Sequence, residues 1–228
     1  MAAHSGDTLE GRYQQVLSDV ADAARSAGRD PKDITTIVVT KFHPVSLIRE
    51  LHALGQRDFG ENRHQEAVAK HAETTDLDLV WHFQGQLQSN KAKAVAQYAD
   101  VIHSIDRESL LTKLADQDRH VDIFIEVNLT DDPGRGGVMP EGLVQLVEKT
   151  LTVSQLTLRG LMAVAPQDER PARAFEQVVE LREKVLPLAP HATDLSMGMS
   201  GDFVEAISAG ATHLRIGTAI TGNRPTGV

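Results

Sequence analysis

A lysine directly follows a short apolar run near the amino end of the chain. The run is ITTIVVT, at residues 34–40, and the next residue is Lys41. Apolar surroundings disfavour a charged ammonium, lower its pKa and free the amine to attack a carbonyl carbon. The sequence therefore predicts Schiff-base chemistry at Lys41. The alternative for this segment alone is a strand-end lysine whose stem lies on apolar surface while its ammonium reaches water.

Small and hydroxyl-bearing residues are concentrated in the stretch SMGMSGDFVEAISAGATHLRIGTAITG near the carboxyl end. Ser196, Gly198 and Ser200 precede a predicted helix, and Gly217 with Thr218 follow the last predicted strand. Glycine lets the backbone approach a ligand, hydroxyls donate hydrogen bonds, and free N–H groups at a helix start favour phosphate. Anion-binding cups are therefore predicted here, with an ordinary helix N-cap as the alternative for Ser200.

Charged and polar residues also lie within or just after other predicted strands. Arg215 lies between Leu214 and Ile216, and an inward-pointing guanidinium at that position needs a buried partner. In a parallel barrel the functional residues lie at the carboxyl ends of the strands. The polar residues found around or after the other predicted strands are Glu61, Asn62, His82, Gln84, Gln86 and Asn128.

Strands and helices alternate along the chain and must position these side chains. Strands are predicted at residues 34–40, 58–60, 79–83, 101–103, 121–129, 156–164, near 195 and at 212–217. Helices are predicted at residues 9–24, 45–54, 62–74, 89–98, 107–117, 140–150, 170–185 and 200–209. This pattern predicts an α/β protein with a single (β/α)8 TIM barrel and an extra N-terminal helix, and a doubly wound open sheet is the alternative. No Pro/Gly/Ser-rich linker divides the chain, so residues 1–228 are expected to form one domain.

Composition excludes several classes of function. The chain has 228 residues, 23 Lys+Arg against 32 Asp+Glu, a net charge of -9 and no cysteine. An acidic balance argues against non-specific nucleic-acid binding, and the absence of cysteine removes thiolate chemistry and suits the cytoplasm. No apolar run is long enough for a membrane helix. No metal site is expected, because the ten histidines form no HExxH or similar ligand pattern.

Five ordered segments carry a family resemblance. They are VVTKFHP (38–44), DFGENRHQEAVAK (58–70), WHFQGQLQSNKAK (81–93), RGLMAVAP (159–166) and LSMGMSGDFVEAISAGATHLRIGTAI (195–220). With these segments the sequence resembles the YggS/PROSC family of pyridoxal phosphate homeostasis proteins over essentially the whole chain. The resemblance implies a barrel like the N-terminal domain of alanine racemase. It also implies pyridoxal 5'-phosphate (PLP) as the cofactor, held as an internal aldimine on Lys41.

The resemblance further assigns roles to residues of this sequence. The phosphate would be bound by Ser200, Gly217 and Thr218, with help from Met199. Arg215 would contact the pyridine nitrogen, and Asn62 matches a position near the cofactor. The departures from the family pattern are Phe42 and His43 where Thr and Lys are common, Gln84 and Gln86 where Ile and His are common, and Arg135 near a frequent second lysine.

The implied function is that of a carrier. A guanidinium only donates hydrogen bonds, so Arg215 would hold the pyridine nitrogen unprotonated and leave the ring a poor electron sink. A racemase also needs a second acid–base group, usually a tyrosine, whereas this chain has only Tyr13 and Tyr98. We therefore expect a monomer that buffers PLP or delivers it to apo-enzymes, with no catalytic residue. The alternatives are a weak amino-acid racemase and a barrel that binds phosphorylated metabolites or a protein partner.

Overall fold

Eight parallel strands close into a barrel in chain order, and the last strand pairs with the first. The computed structural model describes residues 8–132 and 134–224. The strands are β1 (Thr35–Val39), β2 (Asp58–Glu61), β3 (Val80–Phe83), β4 (Val101–Ile105), β5 (Val121–Glu126), β6 (Leu156–Met162), β7 (Asp194–Ser196) and β8 (His213–Ile216). The predicted (β/α)8 barrel is confirmed, and the open-sheet alternative is wrong. The predicted domain limits, residues 1 and 228, lie outside the described residues, as does Pro133 of the DDPGRGG loop.

Helices lie between the strands and cover the barrel. They are α1 (Leu9–Ser26), α2 (Val45–Ala53), α3 (His64–Ala72), α4 (Ala92–Ala96), α5 (Glu108–Leu114), α6 (Leu143–Thr150), α7 (Pro171–Val185), α8 (Phe203–Ser208) and α9 (Thr218–Thr221). Short 3-10 turns at Pro31–Asp33 and Pro140–Gly142 precede β1 and α6. No helix in the described parts of the chain has the length and apolar character needed to cross a membrane.

The extra N-terminal helix is confirmed as α1. It begins where the Thr8 hydroxyl accepts a hydrogen bond from the Gly11 amide at 3.0 Å, a side-chain cap of the first turn. Its apolar residues recur at helical spacing and face inward, and the Tyr13 hydroxyl donates to Gln56 Oε1 at 3.1 Å. Contacts with α8 and α9 place this helix beside the last part of the barrel.

Several predicted helices are shorter than expected, including α5, which covers only Glu108–Leu114 of the predicted 107–117. Helix α3 begins at His64 rather than at residue 62, α4 covers only Ala92–Ala96 of the predicted 89–98, and α8 begins at Phe203 rather than at residue 200. At α8 the reason is local. The Met199 amide donates to Asp202 Oδ1 at 2.6 Å and closes a turn before the helix. The N-cap alternative for Ser200 is therefore wrong, because Asp202 occupies the N-cap position.

A buried ion pair joins β2 to α3 next to the carboxyl end of β1. Lys70 Nζ lies 2.6 Å from Glu61 Oε1 and donates to the Thr40 carbonyl at 2.8 Å. The Thr40 hydroxyl donates to the same Glu61 oxygen at 2.6 Å. Burial raises the pKa of Glu61, while the neighbouring Lys70 charge acts to lower it. The network fixes the backbone at Thr40, immediately before Lys41.

Replacing one partner of this pair is expected to destabilise the fold. Lys70→Met leaves the buried Glu61 carboxylate without its cation, at a cost of about 3 kcal/mol or more in unfolding free energy. Adding Glu61→Gln should recover part of that loss, because the uncompensated charge is removed. Chemical denaturation of the single and double variants measures both effects.

Arg49→Met is the matched control, because the Arg49–Asp76 pair at 2.8 Å is exposed. It is expected to change stability little. Equal losses in Arg49→Met and Lys70→Met would contradict a special role for the buried pair.

Candidate functional site

A cavity of about 460 Å³ opens at the carboxyl ends of the strands. Its lining includes every cofactor-binding residue that the sequence predicts: Lys41, Asn62, Met199, Ser200, Arg215, Gly217 and Thr218. These residues come from both ends of the chain, and closure of β8 onto β1 brings them together. The structure therefore groups them at one site, while their individual roles remain predictions.

Lys41 lies in the turn after β1, and its side chain is exposed. The expectation that apolar neighbours desolvate this side chain is therefore wrong, because β1 and its apolar run end at Val39, two residues before Lys41. The turn has a defined shape. Phe42 adopts a φ of 67°, and its amide donates to Glu66 Oε2 at 2.9 Å. The amine thus projects from a backbone that Glu66 and the buried pair of Lys70 hold in place.

Arg215 is buried at the end of β8 and points toward the cavity, as the sequence predicts. Its NH1 group donates to the carbonyl and the hydroxyl of Ser196 at 2.6 and 2.8 Å, and its NH2 group donates to the Ala163 carbonyl at 2.8 Å. Burial lowers the pKa of Arg215 to about 10, so the group stays charged at neutral pH. A guanidinium has five N–H donors. At least two of them have no acceptor among the described residues.

Backbone and hydroxyl donors line the same cavity as this guanidinium. Ser200, Gly201 and Thr218 line the cavity, and their amides donate to no group in residues 8–132 and 134–224. The hydroxyls of Ser200 and Thr218 belong to the same wall, and the Ala219 amide lies 3.4 Å from Ser200 Oγ. Unpaired amides in a cavity that also contains a guanidinium favour an anion with several oxygen acceptors, such as a phosphate group.

Two members of the predicted anion cups lie elsewhere. Ser196 is fully buried, and its hydroxyl contacts Arg215 and His103 instead of the cavity. Gly198 has a φ of 95°, and a Cβ there would lie 2.6 Å from the Ala206 Cβ. It permits a tight backbone turn against α8. The prediction is therefore wrong for Ser196 and Gly198.

Two amide side chains in the cavity have buried atoms without partners. Asn62 Oδ1 and Gln84 Nε2 make no hydrogen bond within the described part of the chain. Both residues directly follow strands, β2 and β3, and both line the cavity. Burying a polar atom without a partner is costly, so rotation of either side chain toward a polar ligand group in the cavity is favoured. Gln84 is absent from the predicted binding set, although its position after a strand was a usable signal.

Glu126 is a second cavity residue that the sequence prediction missed. It is the last residue of β5 and faces the same cavity as Lys41 and Arg215. Burial, followed by the nearby Asp106 charge, raises its pKa to about 7, against the opposing effect of Arg215. The cavity therefore contains a carboxyl group whose charge changes near neutral pH.

Three of the other polar residues near strand ends have structural contacts. Glu61 pairs with Lys70, and His82 lies inside the barrel with Asp58. Asn128 Nδ2 donates to the Asp132 carbonyl at 2.9 Å and shapes the DDPGRGG loop. Within the described residues, no group of three or more His, Asp or Glu could hold a metal ion.

Known proteins share this sequence and fold. Residues 20–225 match the family described as the N-terminal domain of alanine racemase. The pyridoxal phosphate homeostasis protein of Pseudomonas aeruginosa is 39% identical over 224 residues, covering 96% of this chain and 97% of the relative. The solved structure of PipY from Synechococcus elongatus with PLP bound has 38% identity and a TM-score of 0.80, covering 90% of this chain and 100% of that chain.

Similarity at the level of the fold extends to enzymes. Alanine racemase from Corynebacterium glutamicum matches with a TM-score of 0.65 and 16% identity, covering 93% of this chain and 62% of the enzyme. The expected resemblance is thus confirmed over almost the whole chain. The protein belongs to the alanine racemase N-terminal domain family and, within it, to the pyridoxal phosphate homeostasis proteins.

Proposed function

We propose that this protein binds PLP in the cavity and buffers or delivers it, without strong catalytic turnover. The observation that carries the proposal is the arrangement around Arg215. Arg215 with its unused N–H groups, Ser200 and Thr218 with their unpaired amides, and Lys41 all line one cavity. A relative that is 38% identical has been solved with PLP bound, which supports the same cofactor here.

The chemistry of the cavity fits the groups of PLP. The amides near Ser200, Gly217 and Thr218 suit the phosphate, and Lys41 supplies an amine for the aldehyde. The partnerless atoms of Asn62 and Gln84 suit a polar substituent on the ring.

When bound, PLP supplies a reactive aldehyde and, where its ring nitrogen is protonated, an electron sink. Arg215 can only donate, so it stabilises an unprotonated nitrogen and disfavours carbanion chemistry. Neither tyrosine lines the cavity: Tyr13 contacts Gln56, and Tyr98 contacts His64. The described residues therefore place no tyrosine where a racemase needs its second acid–base group, which supports a carrier.

One observation favours weak racemase activity as the second candidate. Glu126 is an ionisable group in the cavity with Lys41, and its pKa of about 7 suits proton exchange. The fold shared with alanine racemase is compatible with such a side activity. As further parts of the proposal, the protein acts as a single-domain monomer in the cytoplasm and passes PLP to apo-enzymes.

The first prediction concerns the covalent attachment point. Adding PLP to the wild-type protein should produce a visible absorption band, and borohydride reduction should place the stable adduct on Lys41. Lys41→Ala should lose both signals, whereas Lys93→Ala should keep them, because Lys93 is exposed on α4. Peptide mapping identifies the labelled residue. A band that survives in Lys41→Ala, or label spread over exposed lysines, would favour a barrel that binds phosphorylated metabolites without a covalent cofactor.

The second prediction separates carrier from enzyme. Wild-type protein loaded with PLP is expected to racemise alanine and serine no faster than free PLP at the same concentration. Chiral chromatography after timed incubation measures the rate. Rapid racemisation that disappears in both Lys41→Ala and Glu126→Gln would overturn the carrier proposal and establish the enzyme.

The third prediction concerns pH. Because the Glu126 pKa is raised from 4.5 to about 7, its ionisation should destabilise the ligand-free wild type relative to Glu126→Gln as pH rises through that interval. Ionised Glu126 also repels an anionic ligand. The ratio of the wild-type PLP dissociation constant to that of the variant should therefore rise roughly five-fold between about pH 6 and pH 8.

Thermal melts and PLP titrations at several pH values test both effects. Glu148→Gln, at an exposed position on α6, is the matched control and should follow the wild type. If the ratio of the wild-type to the Glu126→Gln dissociation constant stays constant across this pH range, the Glu126 carboxyl does not ionise there.

A further inference from the structure

A chain of hydrogen bonds crosses the barrel interior beneath the cavity. Arg215 NH1 donates to Ser196 Oγ, which lies 2.8 Å from Nδ1 of His103. Nε2 of His103 lies 2.9 Å from Nδ1 of His82, and Nε2 of His82 lies 3.0 Å from Oδ1 of Asp58. Every link is within normal hydrogen-bond distance.

The two ends of this chain lie at opposite ends of the barrel. Asp58 is the first residue of β2, and its side chain is 29% exposed. Arg215 lies at the cavity, near the end of β8. The link from His103 on β4 to Ser196 on β7 joins strands that are not neighbours, so it passes through the interior. Barrel interiors are commonly filled by branched aliphatic side chains, and these polar groups replace part of such a layer.

The donors and acceptors allow one direction that satisfies every group. Arg215 can only donate, so Ser196 Oγ accepts a hydrogen bond from it. The Ser196 hydroxyl can then donate its own hydrogen bond to His103 Nδ1. His103 then carries its proton on Nε2 and donates to His82. His82 likewise carries its proton on Nε2 and donates to the Asp58 carboxylate, which can only accept. Two neutral histidines in the Nε2–H form thus connect the cation to the anion.

The opposite direction is less consistent. It requires His103 to donate from Nδ1 to Ser196, and His82 to donate from Nδ1 to His103. His82 would then need a second proton on Nε2 for its bond to Asp58, and the Ser196 hydroxyl proton would have no acceptor among the described residues. The reversed chain therefore contains one more proton and one unsatisfied donor.

The surroundings of His103 favour its neutral form. Its ring stacks on Phe124 at 4.6 Å with an interplanar angle of 12°. Complete burial, followed by His82, Arg215 and His213, holds its pKa well below the ordinary value. The ring centroids of His213 and His103 lie 6.3 Å apart in an edge-to-face arrangement. Nδ1 of His213 lies 2.8 Å from the Thr212 hydroxyl.

We propose that Asp58, His82, His103 and Ser196 form a positioning relay for Arg215. The relay fixes the tautomers of both histidines, keeps the Ser196 hydroxyl oriented as an acceptor for NH1, and so directs the remaining N–H groups of the guanidinium into the cavity. Its effect on bound PLP rests on the proposed function, whereas the tautomers themselves are a property of the ligand-free protein.

Two variants of nearly equal shape test the relay at His82. Asparagine places its side-chain amide oxygen close to the position of the His82 Nδ1 atom and can accept from His103, while leucine has the same branching and number of side-chain heavy atoms and no acceptor. Long-range 15N–1H spectra of ligand-free protein report the tautomer of each imidazole, and 15N spectra of arginine report the Arg215 guanidinium. PLP titration then measures affinity.

In wild-type protein, both His82 and His103 are expected to carry the proton on Nε2. His82→Leu should change the His103 tautomer and the Arg215 signals, and should weaken PLP binding roughly ten-fold through one misdirected buried donor. His82→Asn should restore the wild-type His103 and Arg215 signals, with PLP binding within about two-fold of wild type. Equal thermal midpoints for the two variants would show that packing does not cause the difference.

Several results would overturn the relay. One is a wild-type His103 protonated on Nδ1, which needs no folded variant to observe. Another is an identical His103 tautomer and PLP affinity in His82→Leu and His82→Asn. A third is a changed tautomer in His82→Leu with unchanged Arg215 signals. If the spectra behave as expected but wild-type protein does not bind PLP, the relay stands and the proposed function fails.

Discussion

The functional end of this barrel depends on a buried guanidinium that must be satisfied without bulk water. Arg215 is 5% exposed, and its guanidinium donates hydrogen bonds to two carbonyls and one hydroxyl. Among the described residues it forms no ion pair with a carboxylate. These acceptors come from β7 and from Ala163, just after β6, so the guanidinium is held against strands other than its own. Since only part of its donor capacity is used, the side that faces the cavity remains available to a ligand.

A comparison with Lys70 shows why this arrangement matters. Lys70 is also buried, but the Glu61 carboxylate compensates its charge directly. The two charges of that pair neutralise each other, so the pair affects the cavity only through the backbone that it holds in place. Arg215 is solvated by dipoles and keeps its net positive charge, in a protein whose formal net charge is -9. The cavity therefore attracts an anion although the molecule is acidic overall, and ionisation of Glu126 opposes that attraction.

The sequence could predict residues whose position follows from strand ends. Lys41, Asn62 and Thr218 follow β1, β2 and β8 closely, and the family resemblance adds roles to them. Glu126 obeys the same rule but was missed, because it lies within the predicted strand 121–129 and β5 ends there instead. The exposure of Lys41 could not be predicted either, since it depends on the path of the turn and not on the apolar run before it.

Contacts through the barrel interior could not be predicted from the sequence, for a stronger reason. His103 and Ser196 are separated by 93 positions and meet only because the sheet closes. A parallel strand covered on both faces gives no alternation from which to decide whether His103 points to the helices or to the axis. Once it points inward, its protonated ring nitrogen needs an acceptor and its other ring nitrogen needs a donor. In the relay that we propose, closure of the barrel therefore also sets the donor pattern that Arg215 presents to the cavity.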